Sequence, residues 1–351
     1  MTTAAYQQII SASPRDRLDL FLATANRLGT PIGNVEKDFW VCWTLNALYH
    51  ERPAAGPRLL FKGGTSLSKA YGLIERFSED IDVTVFRDDL DEAVSIEALE
   101  ALSNKKRRAR LDAIRDACRA YITGPLYTFL GAQIAAATSG AGRVEIDPAD
   151  PDGQTLLLWY PEVEPRDGAY VRPAVRLESG AKSALDPHQP VPITPYINNE
   201  APELKLAVTD VTTIEAGRTF WDKVVIAHGL RRWYERRGVL RQEGQRVSRH
   251  YYDLHCLLQS DVGLAALAQT ALGADCVRHA RMFFDRPDYD LASAAAGSFA
   301  IAPIDGMIEA LTRDYDNTKA MIFGGPPYFK DILESVGAIE RIVNLTKQKH
   351  E

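Results

Sequence analysis

Between Phe61 and Val85 the chain reads FKGGTSLSKAYGLIERFSEDIDVTV, and its last part, Asp80 to Val85, constrains the fold more than any other stretch. It has the β-branched composition of a buried strand and yet carries Asp80 and Asp82. Residues two apart on a strand share a face, so the two acids aim together while Ile81, Val83 and Val85 face a core. Carboxylates so placed repel, and near neutral pH they are stable when cations sit between them. Charged guards on a solvent-facing edge strand would also explain an Asp-x-Asp taken alone.

The preceding residues shift that balance. Arg58 to Lys62 forms a short apolar strand ending at Gly63-Gly64, and Ser66 to Ile74 has helical spacing. The glycines let a backbone approach a ligand closely, and Thr65 or Ser66 is placed to cap a helix whose free N–H groups attract phosphate. A phosphate and the hard oxygen ligands suited to Mg²⁺ would share one pocket. The segment is neither a GxxxxGKS/T P-loop nor a GxGxxG dinucleotide turn.

The rest of the chain sets the frame. With 351 residues and 46% hydrophobic composition, two domains are expected, 1–210 and 211–351. A net charge of -6 excludes a protein that coats nucleic acid non-specifically. The cysteines, Cys42, Cys118, Cys256 and Cys276, form no CxxC pair and fit neither a disulfide framework nor a zinc site. The N-terminus has no basic-then-apolar leader and no run reaches the length of a membrane span, so a cytoplasmic location without a membrane partner is expected.

The first sixty residues read as helices, among them Pro14 to Leu28, started by Ser13, and Val35 to Tyr49. Ile96 to Tyr121 reads as one long helix carrying Lys105-Lys-Arg-Arg-Ala-Arg110, either a solvated face or an RNA-facing stripe. GRVEID, TLLLWYP, YVRPAVRLESG and PVPITPYI, between Val144 and Ile197, read as strands. Helices are expected again from Thr212: Ile214 to Tyr234, Tyr251 to Leu258, Leu264 to Leu272, Ala274 to Phe284, Pro303 to Tyr315 and Phe329 to Thr346.

Strand, Gly-Gly turn, helix and acid-apolar-acid strand together resemble the DNA polymerase β nucleotidyltransferase superfamily. More narrowly, FKGGTSLSKAYGLIERFSEDIDV is similar to the AbiEii/AbiGii abortive-infection toxin family, which includes the MenT toxins. Fourteen residues lie between Thr65 and Asp80, more than in the shorter-turn members, and the surplus is expected to lengthen the helix.

The resemblance implies an α+β protein, a nucleotidyltransferase fold with a mixed β-sheet flanked by helices, followed by a mainly helical C-terminal domain. It implies a Mg-dependent enzyme moving an NMP from an NTP to a hydroxyl, with a two-metal site formed by Asp80, Asp82 and, from Val175-Arg-Leu-Glu178, Glu178. Gly63, Gly64, Thr65, Ser66 and Lys69 would contact the nucleotide. Within TTIEAGRTFWDKVVIAHGL, Lys223 would neutralise the triphosphate, and within SRHYYDLHCLL, Asp253 would hold Lys223 or an arginine, or accept a proton.

Each has a plainer reading: Glu178 as an edge-strand residue, Asp253 as a carboxylate favouring a helix dipole, His250 beside Arg249 as a packing residue. Arg231-Arg-Trp-Tyr-Glu-Arg-Arg237 has the composition of a single-stranded RNA contact, or of arginines snorkelling at a helix end. By resemblance the acceptor is RNA, a tRNA 3′ end, the outcome arrested translation, and the partner an antitoxin. A small-molecule nucleotidyltransferase and a degenerate, non-catalytic binding module are the alternatives.

Overall fold

The structure is a computed structural model that describes residues 2–78, 80–164, 172–241, 246–319 and 321–345. Its helices are α1 (Thr2–Ile10), α2 (Pro14–Leu28), α3 (Ile32–Asn46), α4 (Gly63–Lys69), α5 (Ile96–Glu100), α6 (Asn104–Tyr121), α7 (Tyr127–Ala137), α8 (Ala216–Arg237), α9 (Ser248–Leu258), α10 (Asp261–Ala268), α11 (Thr270–Phe283), α12 (Asp305–Lys319) and α13 (Phe329–Leu345). Its strands are β1 (Leu59–Lys62), β2 (Asp80–Val85), β3 (Arg143–Ile146), β4 (Thr155–Trp159), β5 (Ala174–Gly180), β6 (His188–Ile193) and β7 (Val208–Ile214). The chain forms two compact units, one of residues 1–70, 77–94 and 102–214, the other of 71–76, 95–101 and 215–351.

The first unit is built on one mixed sheet of seven strands in the order β3-β4-β5-β2-β1-β7-β6. β2 lies at its centre, antiparallel to β1 and parallel to β5. This explains why Ile81, Val83 and Val85 are fully buried: the strand is covered rather than exposed at an edge. β6 carries Pro190 and Pro192, which cannot donate to a ladder, and it occupies the sheet edge. Helix α3 packs on β5 and β7, α7 on β3 and β4, giving the expected α+β arrangement. Trp40 of α3 stacks on Tyr160, with ring centroids 5.3 Å apart, and Phe39 meets Tyr6 and Phe21 beside it.

Several boundaries follow local chemistry. Helix α2 begins where Ser13 accepts the Asp16 N–H and ends where Gly29 adopts φ +62, as its spacing predicts. The single helix expected from Ile96 to Tyr121 is instead two, because Ser95 and Ser103 each cap a separate start. β7 was expected to be a boundary segment; its Val-Thr alternation makes it a strand parallel to β1.

The helix expected over Ser66 to Ile74 lies earlier, at Gly63–Lys69, capped by Lys62 without a side-chain hydrogen bond, so neither Thr65 nor Ser66 caps it. The surplus residues before Asp80 do not lengthen it: Gly72 turns away at φ +61. Residues 71–76 belong to the second unit, where Arg76 forms an isolated antiparallel bridge with Ile322.

The second unit is helical, with Phe220, Trp221, Tyr251 and Tyr315 among its buried aromatics. Helices α8, α9, α12 and α13 occupy the regions where helical spacing predicts them, whereas the helix expected over Leu264 to Leu272 breaks at Gln269, so that α10 ends at Ala268 and α11 begins at Thr270. Of the predicted elements, residues 170, 171 and 346 lie outside the described residues. All four cysteines are free thiols.

Candidate active site

Within the first unit, β2 presents Asp80 and Asp82 half-buried between fully buried neighbours. Asp82 is paired with Lys62 of β1 on one side and Glu178 of β5 on the other. Its carboxylate lies against the backbone of Gly63: a Cβ built there would stand 2.0 Å from Oδ2, and the residue's φ is +79. Only glycine permits both the conformation and the approach. Among the described residues nothing donates a hydrogen bond to the Asp82 carboxylate, whereas Glu92 pairs with Arg110 and Asp147 with Arg176.

Replacing Gly63 with Ala is therefore expected to displace Asp82. The left-handed backbone alone costs a residue with a Cβ about 1–2 kcal/mol. Chemical denaturation should show a loss of at least that size, accompanied by loss of activity.

Register places Arg176 beside Asp80 and Glu178 beside Asp82 on the same face. Arg176 pairs with Asp147 at 2.9 Å and also with Glu178, so the Glu178 carboxylate is committed to a guanidinium. No group of three or more His, Cys, Asp or Glu among the described residues is gathered to hold a metal. The residues that fit a hard divalent cation are thus Asp80 and Asp82: oxygen ligands on one face, one of them without a protein partner.

The turn residues are fixed from within. Thr65 Oγ1 donates to the Asp80 carbonyl and meets Ser78 Oγ at 2.7 Å, and Ser66 Oγ donates to the Gly63 carbonyl at 2.9 Å. Both hydroxyls are buried, which ties the turn to the start of β2 and leaves backbone groups, not hydroxyls, for a ligand. Lys69 points away into α3: its ammonium sits 2.6 Å from Asp38 Oδ1 and 3.9 Å from the centre of the Tyr196 ring. Burial opposes its charge, the Asp38 carboxylate overrides burial, and the pKa of Lys69 is raised. This side chain braces α4.

In the second unit α8 and α9 bring Lys223 and Asp253 together, Nζ to Oδ2 at 2.6 Å. Arg76, which the sequence reading did not select, completes the group with Nε 2.8 Å from Oδ1 and Nη2 3.0 Å from Oδ2. Asp253 has no exposed surface. Burial alone would push its carboxyl up; Arg76 and Lys223 override this and hold it well below the usual carboxylate range, which makes it an anchor and a poor proton acceptor. Burial lowers the Lys223 pKa, and Arg76 and Arg249 lower it further against the pull of Asp253. Burial, Lys223 and Arg249 keep His250 neutral, well below the ordinary imidazole value.

The Arg231–Arg237 string is tied down inside the same unit. Arg231 pairs with Glu235 and Glu340, Arg232 with Glu235, Arg237 with Asp288, and Arg236 donates to the Pro287 carbonyl. Of the residues the sequence reading passed over, Asp38 and Arg76 matter most. Only Arg76 had a local signal, as a lone cation four residues before Asp80.

A glycine corner pressed against same-face carboxylates, on the central strand of a mixed sheet, is a nucleotidyltransferase architecture. The structure is similar to MenT4, the nucleotidyltransferase toxin from Mycobacterium tuberculosis H37Rv, with a TM-score of 0.50 and 15% identity, covering 92% of this chain and 89% of that one. Residues 46–335 match the family described as nucleotidyl transferase AbiEii toxin, type IV toxin-antitoxin system, and the chain belongs to that family. No curated protein matches it. Among the described residues no helix is long and apolar enough to cross a membrane.

Proposed function

We propose that this toxin transfers a nucleoside monophosphate from an NTP to an RNA hydroxyl, the 3′ end of a tRNA, and so arrests translation in the cytoplasm until its antitoxin counteracts it. The observation that carries the reading is the Asp82 carboxylate, two residues from Asp80 and set against Gly63, to which nothing among the described residues donates a hydrogen bond. Asp80 and Asp82 would supply the oxygen ligands for Mg²⁺, while Glu178, held by Arg176, steadies that face of the sheet. A divalent ion bound there makes the acceptor hydroxyl more acidic and offsets charge on the leaving pyrophosphate.

In the reaction the bond between the α-phosphorus and the bridging oxygen breaks, pyrophosphate leaves, and the acceptor oxygen bonds to phosphorus as its proton passes to solvent water. Gly63 and Gly64 leave the backbone open to phosphate oxygens, while Thr65 and Ser66 hold the turn in shape. Lys223 provides a fixed cation for the triphosphate, and Asp253 holds that cation. Lys69, paired with the buried Asp38, braces the turn.

Support for an RNA acceptor comes from Lys105, Lys106 and Arg108 on α6, exposed and without an acidic partner among the described residues. The Arg231–Arg237 string adds none, since acids of its own unit occupy it. The test is incubation with each labelled NTP, Mg²⁺ and total tRNA, with and without chelator. Label is expected on tRNA with at least one NTP, lost on chelation and on periodate oxidation of the 3′ end. Label on a small hydroxyl compound instead of RNA would overturn the acceptor, and no transfer from any NTP would overturn the reading.

A further inference from the structure

One carboxylate, Asp253, faces two cations, Arg76 and Lys223, with Arg249 close enough to act on the lysine. The side chains of Arg76 and Lys223 are 5% and 8% exposed, so both cations are held where charge is costly. The two cations make different contacts: Lys223 gives Asp253 a single hydrogen bond, whereas Arg76 grips both carboxylate oxygens with its fork. A fork of this kind fixes the plane of the carboxylate, which a single ammonium contact cannot.

The backbone presenting Arg76 is itself held. Arg76 bridges to Ile322, and the Phe323 N–H donates to the Glu75 carbonyl at 2.8 Å. The surplus residues between the glycine turn and Asp80 thus deliver one guanidinium to one buried carboxylate, although nothing in helix or strand formation requires them.

We propose that Arg76 is a positioning residue for Lys223: its fork locks the Asp253 carboxylate in the orientation in which Oδ2 accepts from the ammonium as well as from Arg76, so that the other Lys223 N–H groups are held ready for phosphate. This rests on the reading of Lys223 as the cation for the triphosphate. A lysine at position 76 would keep the charge but lose the fork, and alanine would lose both.

The test uses the full chain and compares Arg76→Lys, Arg76→Ala, Lys223→Ala and the Arg76→Ala/Lys223→Ala double variant. Tripolyphosphate binding is measured by calorimetry, NTP kinetics by labelled transfer, and folding by thermal unfolding. Misplacing a group by about 1 Å can lower a rate about 100-fold. A fall of that order in kcat is expected for Arg76→Ala, with partial recovery on adding methylguanidinium, and a smaller fall for Arg76→Lys with a folded chain.

In the Lys223→Ala background the Arg76 substitution should weaken tripolyphosphate binding no further, because both act through one contact. Full activity in Arg76→Lys, or an additive loss in the double variant, overturns the positioning role alone. Unchanged tripolyphosphate binding in Lys223→Ala overturns the phosphate role of Lys223 and this proposal with it. Where Arg76→Ala fails to fold, Arg76→Lys decides.

Discussion

Asp82→Asn should abolish nucleotidyl transfer while leaving the folded chain as stable as before, or more so. The substitution keeps the side chain's shape beside Gly63, where there is room for an Asp-sized group and none for a Cβ on the glycine. It breaks no protein hydrogen bond, because among the described residues none reaches that carboxylate. It also removes one of two like charges on neighbouring same-face positions, which relieves repulsion. Activity should respond in the opposite sense, since a hard divalent cation loses one of its two carboxylate ligands and a fixed electrostatic contact of this kind accounts for about 10²- to 10³-fold in rate. Single-turnover transfer of labelled NMP and urea denaturation of the same preparation provide the check. A variant that is both active and stable would remove Asp82 from the site, and one that is inactive because it unfolds would make the acid a structural group.

The opposed signs expected of Asp82 also explain why this part of the site was legible in sequence. An acid-x-acid pattern within a β-branched strand conflicts with burial, and the conflict is local: strand period, side-chain charge and the preceding glycines lie within one short segment. β2 lies where that pattern puts it, at the centre of the sheet, and Gly63 has the positive φ and close approach that its place at the turn suggests. Helix α2 was equally readable, because Ser13, Pro14 and Gly29 are local start and stop signals.

What could not be read depended on distant partners. Helix α4 starts at two glycines, the poorest helix formers apart from proline, and is fixed by the Thr65 bond to Asp80 and the Lys69 pair with Asp38 rather than by propensity. Lys69 follows a glycine turn as a phosphate-binding lysine would, and only the fold reveals Asp38 beside it. The fork of Arg76 closes on a residue 177 positions away. Ser103, which accepts the Lys106 N–H, separates two helices that helical spacing alone runs together.

Asp253→Asn should be among the most destabilising single substitutions in the second unit. The carboxylate is fully buried, and its loss removes the negative charge that both Arg76 and Lys223 contact. Removing one partner of a buried pair costs about 3–5 kcal/mol, because the stranded charge remains out of water. The pH dependence gives the sign. The Asp253 carboxyl is held well below its ordinary value by Arg76 and Lys223 despite burial. A carboxylate with a depressed folded pKa adds stability that is complete above its unfolded value, about 3.9, and is lost as pH falls toward the folded value. Urea denaturation should therefore show a constant gap between the parent chain and the variant from neutral pH down to about pH 5, narrowing below about pH 4. A gap that is small at pH 7, or that widens on acidification, would mean that the Asp253 carboxylate is not the ionised anchor of Arg76 and Lys223.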